Sequence, residues 1–413
     1  MRVIVNQLAA LGAKTGIGHY TVELLRCLRQ QAGADQIDSF PEGWVRRGRE
    51  ACARLRPRLE GKRQENTAKK TGPMVATLRS QALSCLRQLG RSVMAQHFRL
   101  VSSARGYDLY HEPNFIPLPC ARPTVATVHD LSVLLHPEWH PADRVAHFAK
   151  HFERGLRRCT HLFAISEFGR QEVIRHLNIR PERITRTYMG IRPGLRPLPR
   201  EEVARVLKPL DLPPSYLLYV GTIEPRKNLL MLLRTYCSLP GTLRSRWPLV
   251  LVGNWGWNAG EVAAYFQAEA RHRGVIHLGY VADALLPALY NGARALVYPS
   301  LYEGFGLPPI EMMACGGAVV ASTAGAVAET AGSRAHLIEP YDTDGWRAAL
   351  DRVLRDDDWC RSLRRGVRAV AEPFTWDQCA ADTLRVYRSL CDKATRTQTL
   401  PLPEPGKPLR AAG

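Results

Sequence analysis

Two doubly wound α/β domains facing each other across a cleft are predicted by three observations. The chain has 413 residues, more than one ordinary core accommodates and natural for two domains of about 150–200 residues each. Apolar runs of four to six residues alternate with helical patterns, as buried parallel strands with crossover helices do. Between Met189 and Pro214 the alternation gives way to a Pro-rich stretch holding Pro193, Pro197, Pro199, Pro209, Pro213 and Pro214, which marks the interdomain linker.

Taken in order, the chain opens with a strand at residues 3–5. A loop ending in Gly16-Ile17-Gly18 follows, then a helix carrying Thr21, Leu24, Leu25 and Leu28. Further first-domain strands are predicted at 124–128 and 161–165, with Ser166 as the N-cap of a helix from Phe168. The second series of strands is predicted at 216–220, 249–252, 275–278, 295–298, 318–321 and 336–338. The resulting domains are 1–195 and 214–374, with a C-terminal helix over 375–391. Residues 393–413, which include PLPEPGKPLRAAG, have the composition of a disordered tail.

No run of about 18 apolar residues occurs, so no membrane-spanning helix is expected. The N-terminus reads as a core strand in preference to a signal peptide. Ten cysteines are scattered without CxxC spacing, and the closest pair, Cys379 and Cys391, is twelve apart. Reduced thiols in a cytoplasmic protein are expected, with no metal. The net charge of +19 is concentrated: residues 44–105 carry 15 Lys and Arg against 3 Glu. Within that segment Val75, Leu78, Ala82, Leu86, Leu89 and Val93 recur at helical spacing with Arg79, Arg87 and Arg91 between them. This basic amphipathic helix either packs on the core with a solvated face or meets an anionic membrane surface. Nucleic acid is not expected, since no recognition motif accompanies the charge.

Chemistry concentrates where strands end. The stretch LYEGFGLPPIEMMACGGAVVAS places Glu303 and Glu311 on either side of a Gly304-Phe305-Gly306 turn, between a strand and a helix start. Such a turn offers free N–H groups and the positive end of a helix dipole to an anion. The carboxylates can accept hydrogen bonds from sugar or ribose hydroxyls. After the strand at 216–220, Gly221 leads to Arg226-Lys227-Asn228 at another helix start, a setting that suits a diphosphate. In the first domain His129 and Asp130 end a strand, and His129 is either a satisfied buried histidine or a group that orients a reacting sugar. Gly16 and Gly18 allow close backbone approach to an anion, although Thr21 stands where a dinucleotide fingerprint has its third glycine. HPEWH at residues 136–140 does not have the order of a zinc-protease motif and reads as a loop.

Taken together, EGFGLPPIEMMACGGAVVAS, VGTIEPRKNL, TVHDL and TGIGHYTVELL resemble the retaining glycosyltransferases of family 4, also called group 1. The resemblance implies the GT-B fold, two Rossmann-like domains around a deep cleft, with the helix over 375–391 crossing back to the first domain. It covers the second domain strongly from Tyr216 to Leu354. In the first domain it covers the start and the part from Tyr107 to Gly190, leaving the basic segment atypical. It implies that Glu311 holds the ribose of a nucleotide and Glu303 the donor sugar. By the same resemblance Gly304, Phe305, Gly306 and Leu307 line the donor, Val281 lies at the base, and Gly16, Gly18 and Gly221 approach the phosphates. Arg226 and Lys227 would neutralise the leaving diphosphate, so that no divalent metal or other cofactor is needed. Many members carry Arg where this chain has Thr222, which places more of the phosphate charge on Arg226.

The implied reaction is transfer of a hexosyl group, favoured as mannose from GDP-mannose over a UDP-sugar, with retention by a front-face route. The acceptor would be a saccharide or lipid-linked saccharide in bacterial polysaccharide or lipopolysaccharide assembly, met at the inner face of the cytoplasmic membrane. The alternatives are another GT-B enzyme, such as a nucleotide-sugar epimerase, and a non-catalytic membrane-surface binding subunit.

Overall fold

The computed structural model describes residues 1–11, 16–43, 90 and 92–396. Two six-stranded parallel sheets organise it. The first contains β1 (Arg2–Asn6), β2 (Gln36–Phe40), β3 (Leu109–Glu112), β4 (Thr124–Val128), β5 (His161–Ala164) and β6 (Ile184–Arg186), in the order β2-β1-β3-β4-β5-β6. The second contains β7 (Tyr216–Val220), β8 (Leu249–Val252), β9 (Val275–Gly279), β10 (Ala293–Tyr298), β11 (Ala318–Ser322) and β12 (His336–Ile338), in the order β12-β11-β10-β7-β8-β9. In each sheet the order reverses beside its first strand, between β1 and β3 and between β7 and β10. In open α/β sheets ligands bind at such points, beyond the C-terminal strand ends.

The central strands are buried along their whole length, YLLYV in β7, LVLV in β8 and AVVAS in β11, because helices cover both faces. Three strands went unread in the sequence. QIDSF in β2 and LYHE in β3 are too polar for a buried-strand pattern, and β6 is only three residues. In β3 the polar residues are internally satisfied. His111 Nε2 bonds Thr127 Oγ1 at 2.8 Å, while Glu112 accepts from Asn6 and Tyr110 at 2.6 Å each.

Inside the Pro-rich stretch Arg200–Leu207 forms a helix that packs on the helix Leu286–Gly292, so the chain has joined the second sheet's body before β7 begins. The last helix, Trp376–Arg396, returns to the first domain and packs on the helix Gly16–Gln31. Arg388 bonds Asp35 at 3.0 Å, and Tyr387 bonds buried His111. This helix continues past Cys391, and the rest of the expected tail, residues 397–413, lies outside the described residues. The basic amphipathic helix expected over 75–93 falls almost wholly outside them too. Residues 92–104 are helical, and Phe98 anchors them against Phe40 and Tyr110 with ring centroids 4.9 and 4.5 Å away. Among the described residues no helix is long and apolar enough to cross a membrane.

Candidate functional site

The site grows from the two loops that flank the switch point between β7 and β10. After β7 the chain leaves through Gly221, at φ 155°, and runs to the short turn Pro225–Lys227. Gly253 at the end of the neighbouring strand crosses it so closely that a Cβ would lie 2.0 Å from the Gly221 carbonyl oxygen. That close approach packs the loop against the sheet. After β10 the chain turns through Gly304, Phe305 and Gly306 into the helix Leu307–Ala314, with Gly306 at φ 87° as N-cap. A left-handed residue at this position favours glycine.

The two loops meet through charge. Glu303 is 5% exposed and lies between both cations. Arg226 Nη1 donates to its Oε2 at 2.9 Å, and Lys227 Nζ donates to its Oε1. Lys227 also donates to the Tyr298 hydroxyl at 3.1 Å, Arg226 Nη1 donates to the Tyr302 carbonyl at 3.1 Å, and Arg226 Nε forms an ion pair with Glu224 Oε1 at 2.6 Å. Burial alone would raise the Glu303 carboxyl, but Lys227 and Arg226 hold it down at about 2. Burial and the neighbouring Arg226 push the Lys227 ammonium below its ordinary value, with Glu303 opposing them. The four charges form a preset constellation of two cations and two carboxylates. Glu224, which the motif VGTIEPRKNL displays but sequence reasoning passed over, is the second carboxylate. Its Oε2 is buried and lacks a hydrogen-bond partner among the described residues.

Glu311 stands one turn into the helix and is fully buried. Its Oε2 accepts from the Tyr290 hydroxyl at 2.7 Å, and its Oε1 pairs with the Arg192 guanidinium. Arg192 lies 3.8 Å from Asp283, and Asp283 lies 3.6 Å from His19. His19, Arg192 and Asp283 line a cavity with Gly16 and Leu307, between the two domains. Arg192 thus both lines this cavity and holds Glu311. Nothing local in the sequence pointed to Arg192, because it is 119 positions away from the carboxylate it meets.

The other predicted positions are distributed around this centre. Gly18 is buried within the first helix, and Val281 is 8% exposed beyond β9. The Phe305 ring packs inward, 5.6 Å from Phe374, so only its backbone can serve a ligand. His129 is buried, with Nε2 bonded to the Pro113 carbonyl at 2.7 Å and its ring edge-on to Tyr20 at 4.9 Å. Burial holds its pKa below the ordinary histidine range. What His129 presents to the opposite domain is its backbone. A Cβ on Gly304 would come within 2.0 Å of the His129 carbonyl oxygen.

Two parallel-sheet Rossmann-like domains, joined by a crossing helix and enclosing this cation–carboxylate centre at their interface, define a GT-B glycosyltransferase. Residues 202–370 match the family of glycosyl transferases group 1, and residues 15–195 match glycosyltransferase family 4. The O-antigen chain mannosyltransferase B of Escherichia coli is 34% identical over 380 residues, covering 91% of this chain and 96% of that protein. The chain belongs to the family 4, group 1 glycosyltransferases. Its fold is shared with sucrose-phosphate synthase of Thermosynechococcus elongatus (TM-score 0.67, 20% identity, 95% of this chain and 100% of that one). It is shared equally with the Anabaena protein HepE solved with UDP and glucose (TM-score 0.66, 18% identity, 94% and 100%). An epimerase or a non-catalytic binding subunit is thereby set aside in favour of a glycosyltransferase.

Proposed function

We propose that this enzyme transfers mannose from GDP-mannose to a hydroxyl of a saccharide or lipid-linked saccharide in bacterial polysaccharide assembly, with retention at the anomeric carbon. The observation that carries the reading is the gathering of Arg226, Lys227 and Glu303 beside the glycine turn and its helix start. Preset cations and free N–H groups suit the charge that grows on a departing diphosphate. In the reaction the bond from the anomeric carbon to the phosphate oxygen breaks and a bond to the acceptor oxygen forms on the same face. The acceptor proton passes to the departing phosphate oxygen. Glu303 would exchange part of its hold on Lys227 for donor-sugar hydroxyls, turning Lys227 towards the phosphate. Glu311 would exchange Arg192 for the ribose hydroxyls. With two cations in place, no divalent metal is required in this scheme.

Mannose as the sugar is supported by the name of the Escherichia coli relative, and a nucleotide donor by the UDP bound in the Anabaena protein of the same fold. A panel of GDP- and UDP-sugars, run with and without EDTA, tests the reading. GDP-mannose is expected to give the highest kcat/KM, unchanged by EDTA, and an α-linked product. Preference for a UDP-sugar would overturn the donor assignment, and loss of activity in EDTA would overturn the metal-free scheme.

The inner membrane surface is the place we propose for the acceptor, on the strength of the 15 Lys and Arg against 3 Glu in residues 44–105. Vesicles containing anionic lipid should co-sediment the enzyme and neutral vesicles should leave it in solution. Equal behaviour on both would remove the membrane from the reading.

A further inference from the structure

The glycine turn that carries Glu303 is tied to both domains, and the ties converge on one further carboxylate. Glu329 lies on the second-domain helix Val327–Ala331 and reaches across the cleft to the first-domain helix Glu167–Leu177. Its Oε1 accepts from the Glu167 N–H at 2.7 Å and its Oε2 from the Phe168 N–H at 2.8 Å. These are two of the orphan donors that every helix start leaves, and a carboxylate there also meets the positive end of the dipole. A side chain of one domain thus caps a helix of the other.

The same short helix holds the donor loop. Ala326 N donates to the Glu303 carbonyl at 2.9 Å, and Thr330 Oγ1 donates to the Phe305 carbonyl at 2.9 Å. Gly325 packs so closely that a Cβ would lie 2.4 Å from the Glu303 carbonyl oxygen. From the first domain, Ser166 Oγ, which caps its own helix through Gly169 N, donates to the Gly304 carbonyl at 2.7 Å. Leu131 N donates to the Tyr302 hydroxyl at 3.1 Å, and that hydroxyl donates to Glu172. Residues 302–305 are therefore gripped from one side by the Glu329 helix and from the other by the first domain. Glu329 is the member that bonds the first domain while its helix bonds the loop.

We infer that Glu329 is a positioning residue for glycosyl transfer: by capping the first-domain helix it couples closure of the cleft to the placement of the Glu303–Phe305 loop at the donor sugar. Glu311, held by the Tyr290 hydroxyl within the second domain, lies outside this linkage. The inference rests on the donor-site reading proposed above.

Glu329→Ala and Glu329→Gln in the full chain separate the possibilities, with thermal melts confirming that both variants are folded. For Glu329→Ala, GDP affinity by titration calorimetry is expected to stay near the wild-type value. Turnover of the nucleotide sugar that the wild type uses should fall about 10–100-fold, the cost of misplacing a reacting group. The radius of gyration in solution scattering should rise as the cleft opens. Glu329→Gln keeps one acceptor oxygen and should recover part of the turnover. Wild-type turnover in Glu329→Ala, or a GDP affinity that falls in step with turnover, would overturn the inference. Should the wild type turn over no nucleotide sugar at all, the donor-site reading fails instead, and the solution-scattering comparison still tests the interdomain tie.

Discussion

Lys227→Ala is expected to lower kcat by about 10²–10³-fold while leaving the KM for the nucleotide sugar within a few-fold of wild type, the signature of a group that acts on developing charge. Lys227 is 6% exposed, bonded to Glu303 and Tyr298, and has no freedom to serve as a surface charge. Steady-state kinetics with the donor identified by the nucleotide-sugar panel provide the check. Wild-type turnover would remove Lys227 from the phosphate site. The same variant has a pH signature. Glu303 sits at about 2 in the folded protein against an ordinary 4.5, so its stabilising contribution is complete above 4.5 and lost as pH falls towards 2. Without Lys227 the folded value moves back up. The stability gap between wild type and variant should be widest above pH 4.5 and should close on acidification towards about pH 2, as thermal melts across that range would show.

Gly304→Ala is expected to leave each domain folded yet cut turnover about 100-fold, because a displacement of roughly 1 Å at a reacting centre has that consequence. The added Cβ would stand 2.0 Å from the His129 carbonyl oxygen and 2.9 Å from the Asp130 Cβ, both on the opposite domain. Gly304 is not among the glycines at positive φ, so the loop itself tolerates alanine. The clash is relieved by parting the domains, which stretches the bond from Ser166 Oγ to the Gly304 carbonyl and the bonds at the Tyr302 hydroxyl. Unchanged turnover, with a radius of gyration equal to wild type, would mean that the closed arrangement is not the working one. Gly304→Ala and Glu329→Ala attack the same closure from different faces, so their effects on turnover should be less than additive.

Local chemistry explains why much of the site is legible in the amino-acid sequence. Runs such as YLLYV and LVLV are apolar on both faces, as interior parallel strands are, and their alternation with helical patterns places the loops after them at the cleft. RKN and the paired glutamates Glu303 and Glu311 are short segments whose residue types and spacing suffice to suggest an anion and a hydroxyl-bearing sugar. The polar strands β2 and β3 escaped notice for the converse reason. His111 and Glu112 are buried in β3 because Thr127, Tyr387, Asn6 and Tyr110 satisfy them, and none of those partners except Tyr110 is near in sequence.

The amino-acid order alone thus settled the two-domain α/β architecture, the family, and which loops carry charge, since those depend on periodicity and on residues a few positions apart. Tertiary structure decided the pairings: Glu303 with Arg226 and Lys227, Glu311 with Arg192, and Glu329 with a helix of the other domain. Each joins segments dozens to more than a hundred and fifty residues apart, and the proximity that makes a carboxylate a partner arises only when the sheets bring their loop ends to one cleft.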